Sequence, residues 1–168
     1  MRILIVTDAW EPQVNGVVRT LKTTIGLLRD MGQEVEVIEP SSFRTVPCPT
    51  YPEIRLSLWP RAQIMQRITA FMPDVVHVAT EGPLGHAARR LARRLDITLT
   101  TAYHTRFPEY VHARFRIPLA WTYAYLRRFH NAGRAVLVPT QVVQRDLQER
   151  GFRNVRLWSR GVDHRVFY

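Results

Sequence analysis

The segment Tyr103-His104-Thr105-Arg106-Phe107-Pro108-Glu109-Tyr110 gathers an imidazole, hydroxyls, a guanidinium and a carboxylate within eight residues. An imidazole near neutral pH can give or take a proton, or hydrogen-bond a substrate hydroxyl. The competing reading is a loop histidine tied to a backbone carbonyl. A second segment, Asp8-Ala9-Trp10-Glu11-Pro12-Gln13-Val14-Asn15-Gly16, ends in a glycine that opens a helix. Free N–H groups at such a helix start favour an anion, and glycine lets it approach the backbone. A tight turn with Asn15 as helix cap accounts for the same residues. The spacing is not G-x-G-x-x-G, so the dinucleotide fingerprint is absent. Glu81, in Glu81-Gly82-Pro83-Leu84-Gly85, either hydrogen-bonds a substrate hydroxyl or caps the following helix. His77, inside Asp74-Val75-Val76-His77-Val78-Ala79, is read as a hydrogen-bonded core histidine. The histidines show no H-E-x-x-H spacing and Cys48 is the only cysteine, so neither a metal site nor an internal disulfide is expected. A nucleophile elbow and a phosphate loop are also missing.

The elements that must position these residues follow from hydrophobic period. Arg2 to Thr7 is a short apolar run, as are Glu34 to Ile38, Asp74 to Ala79, Ile97 to Tyr103, Ala135 to Val138 and Val155 to Trp158. Between them lie helical stripes. Val17, Val18, Leu21, Ile25 and Leu28 fall on one face, with Gly32 as the stop. Further helices are expected at Ile64 to Phe71, Leu84 to Leu95, Leu119 to His130 and Gln141 to Arg150. Five prolines between Pro40 and Pro60 leave only a short strand at Glu53 to Leu56. The stretch from His104 to Pro118 is expected to be loop. Strand and helix alternating, with little sign of hairpins, predicts an α/β fold. It is Rossmann-like and doubly wound, a mainly parallel sheet with helices on both faces. Ligands of such sheets sit at the carboxyl ends of the strands, where Asp8–Gly16, Glu81, His104 and the segment after Ser159 all fall.

The chain has 168 residues, the size of one domain. Lys+Arg is 24 against Asp+Glu 14, a formal charge of +10, and Lys22 is the only lysine. Such a surplus points either to an anionic partner or to arginine-rich usage on a solvated surface. Arg89, Arg90, Arg93 and Arg94 share one helix side, as a solvated face or as a stripe for anionic lipid headgroups. No apolar run approaches the roughly 20 residues that span a bilayer. The short apolar start closed by Asp8 reads as a strand rather than a leader. With one cysteine, a cytoplasmic protein is expected, and the arginine stripe leaves membrane association open.

Five segments in order then resemble one family: Asp8 to Thr20, Asp74 to Gly85, Ala102 to Tyr110, Val138 to Thr140 and Arg160 to Phe167. The chain resembles the N-terminal half of retaining GT-B glycosyltransferases of family four, most of all the α-mannosyltransferase-like and sulfoquinovosyltransferase-like enzymes that glycosylate lipids. The resemblance implies a Rossmann-like, acceptor-side domain over 1–158, with 159–168 opening the linker to a C-terminal, donor-binding half. It implies transfer of a hexose, mannose, from a nucleotide diphosphate-sugar to a lipid or glycan acceptor, with retention and without metal or other cofactor. By the same resemblance Gly16, Asn15 and Arg160 meet the donor's phosphate or sugar, and His104 is catalytic. Asp8, Glu81, Tyr103, Thr105 and Tyr110 form the acceptor-facing set. Many relatives carry two glycines in the first loop, whereas this chain has Asn15-Gly16, a form frequent in the lipid-glycosylating subset. Expected partners are the nucleotide-sugar, the acceptor, the C-terminal half and an anionic membrane surface. Nucleic acid is not expected, although the charge alone would allow a basic nucleic-acid-binding domain or a non-catalytic binding module.

Overall fold

The computed structural model describes residues 1–13, 15–48, 51–104 and 107–159. In chain order the elements are β1 (Arg2–Val6), α1 (Gly16–Asp30), β2 (Glu34–Ile38), β3 (Thr45–Cys48), β4 (Tyr51–Ser57), α2 (Arg61–Phe71), β5 (Val75–Val78), α3 (Pro83–Arg94), β6 (Thr98–Ala102), α4 (Phe107–Phe115), α5 (Leu119–His130), β7 (Ala135–Val138), α6 (Gln141–Glu149) and β8 (Val155–Leu157). Local chemistry explains several of their ends. The Asn15 side chain accepts from the N–H groups of Val17 and Val18, and Gly32 leaves α1 at φ +76°, a conformation glycine adopts without strain. Thr140 caps α6 in the same way as Asn15 caps α1.

Six strands form one sheet in the order β2-β1-β5-β6-β7-β8, and every pairing in it is parallel. From β1 the chain first moves outward to β2, then returns to lay β5 on the other side of β1. The switch point is therefore between β1 and β5. Right-handed crossovers then put α1 on one face and α2, α3, α5 and α6 on the other. The packing agrees. Leu21 and Ile25 of α1 cover Ile5, whereas Ile64, Ile68, Leu84, Leu91 and Phe129 cover Leu4, Val6, Val76, Val78 and Leu99. A further cluster joins Leu126 and Leu147 to Val136, Val138 and Val155. Helices thus lie on both faces, unequally.

Two expectations are corrected. β3 and β4 pair as an antiparallel hairpin outside the main sheet. The prolines that hid it are tolerated because a two-stranded ribbon is all edge, where a missing N–H breaks no central ladder. The stretch expected to be loop after His104 contains α4. Pro108 is its second residue, where a helix does not need the N–H, so the proline starts the helix rather than forbidding it.

Candidate functional site

Parallel pairing puts the carboxyl ends of β1, β5 and β6 at one sheet edge, side by side across the switch point. The Asp8 loop follows β1, Thr80 and Glu81 follow β5, and Tyr103 and His104 follow β6.

Asp8 ties two of these loops together. It is buried; its Oδ1 accepts from Leu84 N at 2.8 Å, and its Oδ2 from Gly85 N at 3.2 Å and from Thr80 Oγ1 at 3.0 Å. The Asp8 N–H donates back to Thr80 Oγ1 at 2.7 Å. Gly82, the residue before α3, makes no side-chain cap of its own, and Pro83 has no N–H. A carboxylate 76 residues before Leu84 therefore does the capping. Burial holds the Asp8 carboxyl above the usual carboxylate range, the hydrogen bonds from Leu84, Gly85 and Thr80 pulling the other way. The glycines of this turn are there for space. A methyl at Gly82 would stand 2.3 Å from Asp8 Cγ, and one at Gly85 would stand 2.0 Å from the Thr80 carbonyl oxygen. Asp8, expected to face acceptor, is corrected to a helix cap: both its carboxylate oxygens are turned inward.

Glu81 does not cap α3. Its Oε1 lies 3.0 Å from Nε2 of His130, whose Nδ1 lies 2.9 Å from Thr101 Oγ1. His130, fully buried, thus bridges β6 and the loop after β5. Glu81 is only half-buried, so it is oriented from below and reachable from above. Tyr103, expected to meet acceptor, is instead core. Only 2% exposed, it packs edge-on against His130 and Phe152, and burial pushes its phenol well up.

His104 is half-buried, and its ring centroid lies 6.0 Å from that of Trp158, just beyond β8. Trp158 also meets His77 edge-on at 6.0 Å. His77 is a hydrogen-bonded core histidine, as expected: its Nδ1 lies 2.9 Å from Thr100 Oγ1. Burial, helped by nearby His104, lowers its pKa to about 4. Trp158 lines a mainly apolar cavity of about 270 Å³ with Ile3, Ile5, Leu21, His77 and Leu137, on the face that α1 covers. Trp158 was not singled out from the sequence. As one aromatic at a strand end it carries no local signal, and its place beside both histidines is a matter of sheet order.

At the amino end of α1, Gly16 is exposed. Asn15 caps the helix: its Oδ1 takes the N–H groups of Val17 and Val18 at 3.0 Å each, and its Nδ2 donates to Gln13. An anion here would have the backbone at Gly16 and the nearby cations. A cavity of about 500 Å³ opens beside it, lined by Glu11, Gln13, Asn15, Arg19 and Lys22, with Lys22 paired to Glu11. Thr105 and Arg160 lie outside the described residues, as does the side chain of Tyr110. Among the described residues no three His, Cys, Asp or Glu side chains group as metal ligands.

The profile of Glycosyltransferase Family 4 matches residues 14–166. The chain belongs to glycosyltransferase family 4. It is 30% identical to a GDP-mannose-dependent alpha-mannosyltransferase of Mycobacterium tuberculosis over 99% of this chain and 49% of the relative. It is also 30% identical to the sulfoquinovosyl transferase SQD2 of Arabidopsis thaliana, over 92% of this chain and 34% of the relative. The chain thus spans half or less of the curated relatives it matches, in their N-terminal region. Among solved structures, UDP-GlcNAc 2-epimerase of Methanocaldococcus jannaschii superposes with a TM-score of 0.60 at 15% identity, covering 94% of this chain and 45% of that one. An alpha-glucosyltransferase in complex with UDP-glucose and DNA gives 0.55 at 12%, covering 97% and 43%. At that identity these two speak for the fold: a Rossmann-like sheet of the GT-B kind.

Proposed function

We propose that this family 4 chain is the acceptor-side domain of a retaining hexosyltransferase. That enzyme moves mannose from a nucleotide diphosphate-sugar to a lipid or glycan acceptor at the cytoplasmic side of a membrane. A relative named for GDP-mannose supports the donor class, and one named alpha-monoglucosyldiacylglycerol synthase, of Streptococcus pneumoniae, supports the lipid. The observation that carries the reading is the position of His104. It follows β6, one strand from the β1/β5 switch point, at the same sheet edge as Glu81 and the amino end of α1.

On this reading His104 touches the transferred sugar, Glu81 receives an acceptor hydroxyl, and the backbone at Gly16 meets the donor diphosphate, with Arg160 beside it. No metal or other cofactor is invoked. Glu81 suits its part because His130 holds one carboxylate oxygen from below, which fixes orientation before substrate arrives. The diphosphate gains negative charge as the bond to the sugar breaks, and stabilising that charge is usually the largest catalytic contribution. We place the cations for it in a donor-binding half that 159–168 leads into, so the 168-residue chain alone does not transfer sugar.

A transfer assay tests this. Labelled nucleotide-hexoses are offered with lipid and soluble glycan acceptors to the chain alone and to the chain joined to a donor half. Transfer only by the joined protein, fastest from GDP-mannose, is the expected result. Turnover by the chain alone at a comparable rate would show the donor site to be misplaced. Binding of donor and acceptor by the joined protein without transfer would leave a binding module.

A further inference from the structure

We propose that α3 and α5 together form a membrane-docking face, an arginine field flanked by two interfacial aromatic rings, that seats the domain on anionic lipid. The proposal extends the lipid-acceptor reading above by naming the surface that brings the domain to the bilayer.

Trp121 is 72% exposed and Tyr125, one turn on, is 46% exposed. Arg128 follows three residues later on the same stripe of α5. Tyr125 meets His86 of α3 through its hydroxyl, and His86 stands on the α3 side that carries Arg89, Arg90 and Arg93. The two stripes are therefore one continuous surface. Arg89 is the seam. Its Nε donates to the Phe129 carbonyl at 2.9 Å and its Nη2 to the Arg128 carbonyl at 3.0 Å, with the guanidinium over the Phe129 ring. The stripe expected from the sequence thus loses Arg89 to helix–helix packing and keeps Arg90, Arg93 and Arg94, all exposed, to which the fold adds Arg128.

Among the described residues none of these four arginines is paired with a carboxylate. Asp96 follows α3 in sequence, and Glu81 is held by His130. Like charges crowd at the seam. Beyond the cost of burial, Arg93, Arg128 and Arg90 each pull the Arg89 guanidinium below its ordinary pKa. A field of like charges with no internal counterion is relieved by an anionic surface, and salt screens that attraction. The aromatics choose between anionic surfaces. Tryptophan and tyrosine settle at the headgroup level of a bilayer, where ring and polar edge are both satisfied, and arginine reaches past them to the phosphates. Single-stranded nucleic acid would want a basic groove that tracks its backbone.

The test is sedimentation of the full 168-residue chain with phosphatidylcholine vesicles, with and without phosphatidylglycerol, in the absence of nucleotide-sugar. The chain is expected to bind only the anionic vesicles, less at higher salt, with a blue shift of tryptophan emission. The quadruple variant Arg90→Gln, Arg93→Gln, Arg94→Gln, Arg128→Gln is expected to lower the partition coefficient at low salt roughly 10²–10³-fold. Trp121→Phe, a change at an exposed position, is expected to remove the blue shift while leaving the circular dichroism unchanged. Equal binding by the quadruple variant overturns the proposal, as does a blue shift that survives in Trp121→Phe. Competition by glycerol phosphate as strong as by vesicles, or binding of DNA without binding of vesicles, also overturns it. Because no sugar is transferred in this assay, a failure here leaves the transfer reading standing, and failed transfer leaves the docking face standing.

Discussion

Replacing Asp8 tests whether one buried carboxylate joins the β1 loop to α3. In Asp8→Ala the buried N–H groups of Leu84 and Gly85 lose the acceptor they now have at 2.8 and 3.2 Å. An unsatisfied buried donor costs about 1–3 kcal/mol. Two of them give about 2–6 kcal/mol, against a typical domain stability of about 5–15 kcal/mol. For a chain of this size the melting temperature is expected to fall by roughly 4–24 °C. Asp8→Asn keeps the shape and one acceptor but sets an amide N–H against Gly85 N–H, so about half that loss is expected. The pH dependence has a defined sign. Burial raises the folded carboxyl above its unfolded value of about 3.9. Between the two values the native state holds the proton more than the unfolded state does, so stability falls as pH rises. The contribution is complete below the unfolded value and is lost as pH passes the folded one. The amide of Asp8→Asn does not titrate, so the gap in melting temperature between wild type and this variant should narrow as pH rises from about 4 to 7. Thermal melts followed by circular dichroism measure it. A gap that widens over that range would mean that the backbone hydrogen bonds outweigh burial, and an unchanged melting temperature in Asp8→Ala would refute the cap itself.

Gly85→Ala drives a methyl into the Thr80 carbonyl, a backbone atom that cannot swing aside. A loss of about 3 kcal/mol or more is expected, and a denaturant midpoint equal to wild type would show that the turn yields. His77, at about 4, stays neutral at pH 5, which an NMR titration reads directly. Its depressed value makes stability fall as pH drops from about 6.5 towards 4, by at most about 3 kcal/mol, and His77→Gln should flatten that slope. In a protein carrying the donor half, His104→Ala is expected to lower turnover by about 10²–10⁴-fold with little change in melting temperature. Undiminished turnover would return His104 to a loop role.

Several features were legible without coordinates because their causes are local. Asn15 reaches two and three residues ahead, and Gly32 needs only its own φ. The stripes of α1 and α5 and the apolar runs of β1, β2 and β7 recur at the periods a helix or strand imposes. The carboxyl-end edge on which His104, Glu81 and Gly16 fall followed from alternation, whereas the switch point between β1 and β5 came only with the strand order. Where local signals conflicted, the reading failed. Prolines concealed the β3–β4 ribbon, and Pro108 with mixed aromatics concealed α4.

The tertiary structure decided which polar residues face the edge and which are consumed beneath it. Asp8, Glu81 and Tyr103 look alike in sequence, each a polar side chain just past a strand. Asp8 is drawn inward by two helix amides 76 and 77 residues away, Glu81 is tethered by a histidine 49 residues on, and Tyr103 is enclosed by α5 and Phe152. Hydrophobic period and capping act over one turn and can be read along the chain. Satisfaction of a buried polar group depends on whichever partner the sheet order brings within about 3 Å, and no local pattern encodes that distance.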